Sequence, residues 1–124
     1  MANESTIKLV ICFNDPDLEP EERDAEVQKL LNQLREMDEV NTNRVLDPNP
    51  PAGNKALGGF LVGLLMAEVN MENTRRLFSF LGDRLGGKPI ELEVEANGRK
   101  LRVSAHSREE LEVAIKAAED FITQ

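Results

Sequence analysis

Polar and apolar positions alternate with period two from Ile90 to Val103. Ile90, Leu92 and Val94 interleave with Glu91, Glu93 and Glu95, and beyond Asn97-Gly98 the residues Leu101 and Val103 interleave with Lys100 and Arg102. This pattern predicts two strands, each with one wet face. Asn-Gly suits the two positive-φ positions of a type I′ hairpin loop. A two-residue loop flanked by Ala96 and Arg99 sets Glu95 opposite Lys100, Glu93 opposite Arg102, Val94 opposite Leu101 and Leu92 opposite Val103. Charges of opposite sign meet on one face and apolar groups on the other, so a one-residue slip loses both. The glutamate ladder is therefore read as specifying register and not as a cation site, because the hairpin supplies its own cations. Ser107-Arg108-Glu109-Glu110 then forms a capping box. Leu111, Ala114, Ile115, Ala118, Phe121 and Ile122 follow on one helical face, which predicts a helix lying against the sheet.

Ile7 to Phe13 is apolar at six of seven positions, Lys8 excepted, as in a central strand covered on both sides or nearly so. Asn14-Asp15-Pro16-Asp17 marks a turn. Pro20, Glu21 and Glu22 open a helix, with proline and carboxylates in its first turn, and Val27, Leu30, Leu31, Leu34 and Met37 give its buried stripe. Val40 to Leu46 has a polar centre, Asn41-Thr42-Asn43, and predicts an edge strand. Asp47 to Asn54, with three prolines and Gly53, reads as an extended loop. Lys55 to Leu85 is helical in composition, interrupted near Asn70 as a cap, with Leu77, Phe78, Leu81 and Leu85 on its second part and Gly86-Gly87 ending it. The expectation is one α+β domain over residues 1–124, ordered β-α-β-(α,α)-β-β-α, with a mixed four-stranded sheet packed by helices.

Composition narrows the chemistry. Fifteen basic against twenty-three acidic residues give a net charge of −8, and all five aromatics are Phe. Neither a phosphate-binding surface nor a base-stacking platform follows, so nucleic acid is excluded as the expected partner. Cys12, the single cysteine, falls in an apolar strand pattern and reads as a small core residue, in keeping with a reducing, cytoplasmic compartment. Met1 to Thr6 lacks the features of a signal peptide, and the uncharged run Leu57 to Ala67 is too short to span a bilayer.

No arrangement of residues carries catalysis. His106, the only histidine, precedes the cap Ser107, whose hydroxyl already has a backbone role, and a lone histidine supplies no metal cluster. Asn14, Asp15 and Asp17 lack the glycine and distal glutamate of a calcium loop. Gly53-Asn54-Lys55 and Gly58-Gly59 share only composition with a phosphate loop. Neither metal nor cofactor is expected. Two surfaces are candidates for a protein partner. In Leu57 to Met66, Leu57, Phe60, Leu61, Leu64 and Leu65 share one helical face while Val62 and Met66 fall elsewhere, so an all-round apolar helix would need more than one neighbour. The sheet would cover one side and leave the second to the other helices, as core alone, or to a second copy or another protein. Arg75 and Arg76, with Arg84 and Lys88, form either a solvated helix face or a candidate basic patch for a partner's carboxylates.

From Pro50 onward these features resemble the effector-associated constant component family of bacterial conflict and signalling systems. The matching stretches are Pro50-Pro51-Ala52-Gly53-Asn54-Lys55, the apolar run Leu57 to Met66, and Leu77-Phe78-Ser79-Phe80-Leu81. The likeness continues through Ile90-Glu91-Leu92-Glu93-Val94 with Asn97-Gly98, and Ser107 to Leu111. Phe80 stands where the pattern leads us to expect tryptophan, and Gly53-Asn54-Lys55 is a looser form of the loop. The resemblance implies a small non-catalytic adaptor or regulator, encoded with effectors such as peptidases or regulatory NTPases. The alternative expectation is a small ligand-binding domain or enzyme using the Asp47 to Lys55 loop, with Lys55 as its anchor.

Overall fold

Strand β1 (Thr6–Phe13) sends Ile7, Leu9, Ile11 and Phe13 into the interior, while Lys8, Val10 and Cys12 between them stay half-buried. That alternation, repeated in its neighbours, builds the fold. The computed structural model describes residues 6–46 and 60–123. After β1 come α1 (Pro20–Leu34), β2 (Val40–Leu46), β3 (Phe60–Asn70), a 3-10 turn (Met71–Asn73) and α2 (Thr74–Leu85). The hairpin β4 (Ile90–Ala96) and β5 (Arg99–Ala105) and the helix α3 (Arg108–Ile122) complete it. The five strands lie in the order β2-β3-β1-β4-β5, every neighbouring pair antiparallel.

Several expectations hold. β1 is central, β2 is an edge, and the hairpin adopts the register read from its charges, with Asn97 and Gly98 both at positive φ. The ion pairs differ in detail: the Glu93 carboxylate lies 3.7 Å from Arg102 and 4.0 Å from Lys100, so both cations converge on one glutamate. Ser107 Oγ accepts from the Glu110 amide at 3.1 Å, but the Glu110 carboxylate accepts from the His106 amide, one residue earlier than a reciprocal box requires.

One element is corrected. Phe60 to Met66 is not helical but the first part of an eleven-residue strand, which raises the sheet from four strands to five and makes it antiparallel instead of mixed. A run apolar on both faces fits helix and strand alike. Gly63, costly inside a helix, and the alternation of buried Leu65, Ala67 and Val69 with half-buried Leu64, Met66 and Glu68 mark the strand. Asn70 precedes the 3-10 turn without a side-chain cap, and its carbonyl instead accepts from the Thr74 hydroxyl at 3.0 Å.

The buried side chains form one cluster on the helix side of the sheet. Val27, Leu30, Leu31 and Leu34 of α1, Leu77, Phe78, Leu81 and Leu85 of α2, and Leu111, Ala118 and Ile122 of α3 close over it. Burial of each large aliphatic side chain contributes about 1.5–3 kcal/mol. Where β2 meets β3 the register breaks, with Val45 alone spanning Leu61 to Leu64 between the pairs Arg44–Leu65 and Leu46–Phe60. The distortion is pinned by Asp24 of α1, which pairs with Arg44 and accepts from the Gly63 amide at 3.3 Å, while Arg44 also donates to the Leu61 carbonyl at 3.4 Å.

Gly63 has φ +74°, and a β-carbon there would lie 3.1 Å from the Phe13 carbonyl oxygen. Gly63→Ala should therefore cost about 1–3 kcal/mol, read as a lower urea midpoint with unchanged slope. Gly87→Ala, also at positive φ but in open space, should cost less. A second substitution should act in the other direction. Thr42 faces the helices, is 7% exposed, and its hydroxyl has no hydrogen-bond partner among the described residues. Thr42→Val removes that unmet polar group at nearly constant shape and should stabilise the fold by about 1 kcal/mol in the same urea titration.

Candidate protein-interaction surface

All three helices cover one side of the sheet, and among the described residues no helix or strand covers the other. Register places its side chains in rows. Asn41, Glu68, Lys8, Glu95 and Lys100 form one, Asn43, Met66, Val10, Glu93 and Arg102 the next, and Leu64, Cys12, Glu91 and Ser104 a third. An apolar strip of Met66, Val10, Leu64 and Cys12 therefore runs along β3 and β1. Four carboxylates and three cations surround it, so the face is close to charge balance in a chain of net charge −8. Period two in β3 and β1 produces the strip, since both strands carry apolar residues at alternate positions on both faces.

The residues singled out from sequence divide on this geometry. Met66 lies in the strip, and Val62 is half-buried beside the Gly63 distortion. Phe60 begins β3, and Leu57 and Lys55 lie outside the described residues, as does the Asp47 to Asn54 loop. The strip also contains Val10, Cys12 and Leu64, which the sequence reading assigned to the interior or to a helix face. The signal that could have found them is the placement of Lys8 and Glu68 at the same strand parity, since charged residues mark a face that reaches water.

The four basic residues do not pool into one patch. Arg76 pairs with Glu39 of the α1–β2 connection at 2.6 Å, Lys88 with Glu26 of α1 at 2.9 Å, and the Arg84 guanidinium lies 5.3 Å from the centre of the Phe80 ring. Arg75 and Arg76 line a shallow cavity of about 610 Å³ with Glu72, Asp83, Met37 and Phe80, of mixed charge and not basic. His106 is exposed, with Nδ1 3.4 Å from the Glu110 carboxylate. Among the described residues no cluster of three or more His, Cys, Asp or Glu side chains could hold a metal ion, and no helix is long and apolar enough to cross a membrane.

Cys12 carries a free thiol. Burial and the neighbouring Glu91 carboxylate raise its pKa above the ordinary value, and Arg23 opposes them in part. The thiolate is the reactive form, so Cys12 should react with a disulfide reagent at neutral pH more slowly than a fully exposed thiol. Glu91→Gln removes the charge that raises the pKa and leaves the burial unchanged, so it should speed that reaction, measured by stopped-flow absorbance. Comparison of the chain with protein-family models, with curated proteins and with solved structures gives no match in any of the three.

Proposed function

We propose that this protein is a non-catalytic interaction module of the cytoplasm, which holds another protein against the open face of its sheet. The observation that carries this reading is one-sided coverage: the apolar strip Met66, Val10, Leu64 and Cys12 lies on a face that the three helices leave uncovered. Contiguous apolar surface with a polar rim is the usual mark of a protein contact. The surrounding charges favour a partner surface of complementary pattern, since a misaligned one would set like charges together. The resemblance to effector-associated constant components supports an adaptor or regulator, with a peptidase or NTPase effector as the partner class. A second copy of this chain is the competing occupant, and the strip on β3 takes over the role that the sequence reading gave to an apolar helix.

Co-expression with the proteins encoded beside it should yield a stable complex. Met66→Lys should weaken that complex at least about tenfold by placing an ammonium group in the dry contact, while the circular dichroism of the free protein stays unchanged. Light scattering separates the two occupants. A homodimer that Met66→Lys converts to monomer, with no complex formed, would replace the adaptor reading with self-association. Turnover of a substrate by the isolated chain, abolished by Lys55→Ala with the fold intact, would overturn both.

A further inference from the structure

The edge formed by β5 has a different character from the open face. Asn97 and Gly98 form a two-residue loop with φ of 54° and 77°, closed by the pair Ala96–Arg99. In such a hairpin the closing pair is hydrogen-bonded, and hydrogen-bonded and non-bonded pairs then alternate along the strands. Arg99, Leu101, Val103 and Ala105 consequently direct their backbone groups towards β4. Lys100, Arg102 and Ser104 direct theirs outwards, away from the sheet. Beside this edge lies a groove of about 380 Å³ between β5 and α3, lined by the apolar side chains of Val103, Val113, Ala114 and Ala117 and also by Ser104, Glu109 and Glu110, so that the side chains it takes are apolar and any acidic ones must face away from it. The two alanines leave the room. Val113 is 69% exposed, the single large apolar side chain so exposed among the described residues.

We propose that this groove is a strand-addition site, taking an extended segment of a partner protein in which apolar and acidic residues alternate. Backbone groups of Lys100, Arg102 and Ser104 supply the ladder, and every second side chain of the added strand settles over Val103, Val113 and Ala117. The intervening side chains emerge on the open side of the sheet, beside Lys100 and Arg102. Those cations lie only loosely against Glu93, at 4.0 and 3.7 Å, and are well exposed, so each can also meet an acidic residue across the new pair. β4 already satisfies β5 from the other side with the same alternation, Ile90-Glu91-Leu92-Glu93-Val94-Glu95. A second copy of this chain fits poorly. β5 against β5 crowds the Lys100 and Arg102 side chains of both copies onto one face. β5 against β2 brings asparagine in place of carboxylate, in a head-to-tail contact that does not return on itself by two-fold symmetry.

The alternative role for Lys100 and Arg102 is protection of the edge against strand pairing, and one experiment separates the two. The isotopically labelled full chain is titrated with a blocked synthetic peptide, Val-Glu-Val-Glu-Val-Glu, to about 1 mM. Strand addition shifts the amide signals of Lys100, Arg102 and Ser104 and the methyl signals of Val103, Val113 and Ala117. It also slows hydrogen exchange at the three amides at least about tenfold, which is the protection expected when the edge is bound more than nine-tenths of the time. The peptide with lysine in place of glutamate binds at least about tenfold more weakly, and Val113→Glu, at a position exposed enough to leave the fold intact, abolishes binding. Unshifted edge amides at the highest peptide concentration, shifts confined to another surface, or equal binding of the acidic and basic peptides would each overturn the proposal. Lys100 and Arg102 border both surfaces, but Met66 tests the open-face reading and Val113 this one, so the two fail separately.

Discussion

Three helices over one side of a five-stranded sheet are the constraint on which the other features depend. α1, α2 and α3 all feed one continuous core, and β1 at the centre of the sheet gives that core Ile7, Leu9, Ile11 and Phe13. Every residue of opposite parity is thereby consigned to the far face, whatever its chemistry. At Lys8, Glu68 and Glu95 the sequence meets that condition with charge, and at Val10, Cys12, Leu64 and Met66 it does not. Antiparallel sheets commonly leave one face towards water. The apolar residues on that face are the feature that core formation leaves unexplained.

The ends of the sheet are handled differently from its middle. At the β2–β3 junction, a mostly buried pair between Asp24 and Arg44 reaches the amide of Gly63 and the carbonyl of Leu61, so a side-chain network replaces ladder bonds where the register breaks. A buried pair of this kind is best understood as fixing geometry, since desolvation offsets much of its attraction. Among the described residues there is no comparable closure at the β5 end. Hairpin geometry aligns the edge, and the small residues of α3 leave space beside it.

Legibility followed the clarity of the alternation. β4 and β5 could be read to the residue because charge and apolarity exchange at every step and Asn97-Gly98 fixes the loop. The start of α3 was readable through Ser107, although Glu110 spends its carboxylate on His106 instead of Ser107. β3 was misread because Leu61 to Met66 is apolar at every position but Gly63, and such a run carries no period. The same blindness hid the strip on the open face. A sequence records that Val10 and Cys12 are apolar, but not that the helices stop on the other side of them. The partners of Arg76 and Lys88 were also illegible, since Glu39 and Glu26 lie far from them along the chain, whereas Phe80 stands one helical turn before Arg84 on α2 and was within reach of the sequence.

The order of the strands also bears on how the chain acquires its shape. β1 is synthesised before both of its neighbours, β3 and β4, so its ladders wait for Leu64 to Asn70 and for Ile90 to Glu95. Long-range pairing of this kind is slow relative to local hairpin closure. The β4–β5 hairpin, joined through two residues and followed directly by α3, is the most local unit of the sheet and is suited to form as a template. Until it does, Ile7 to Phe13 is an unpaired apolar strand on a nascent chain, the kind of segment that invites misassembly or chaperone capture. A central strand that precedes both of its neighbours in the chain thus leaves a later segment, the hairpin, as the first part of the sheet able to organise.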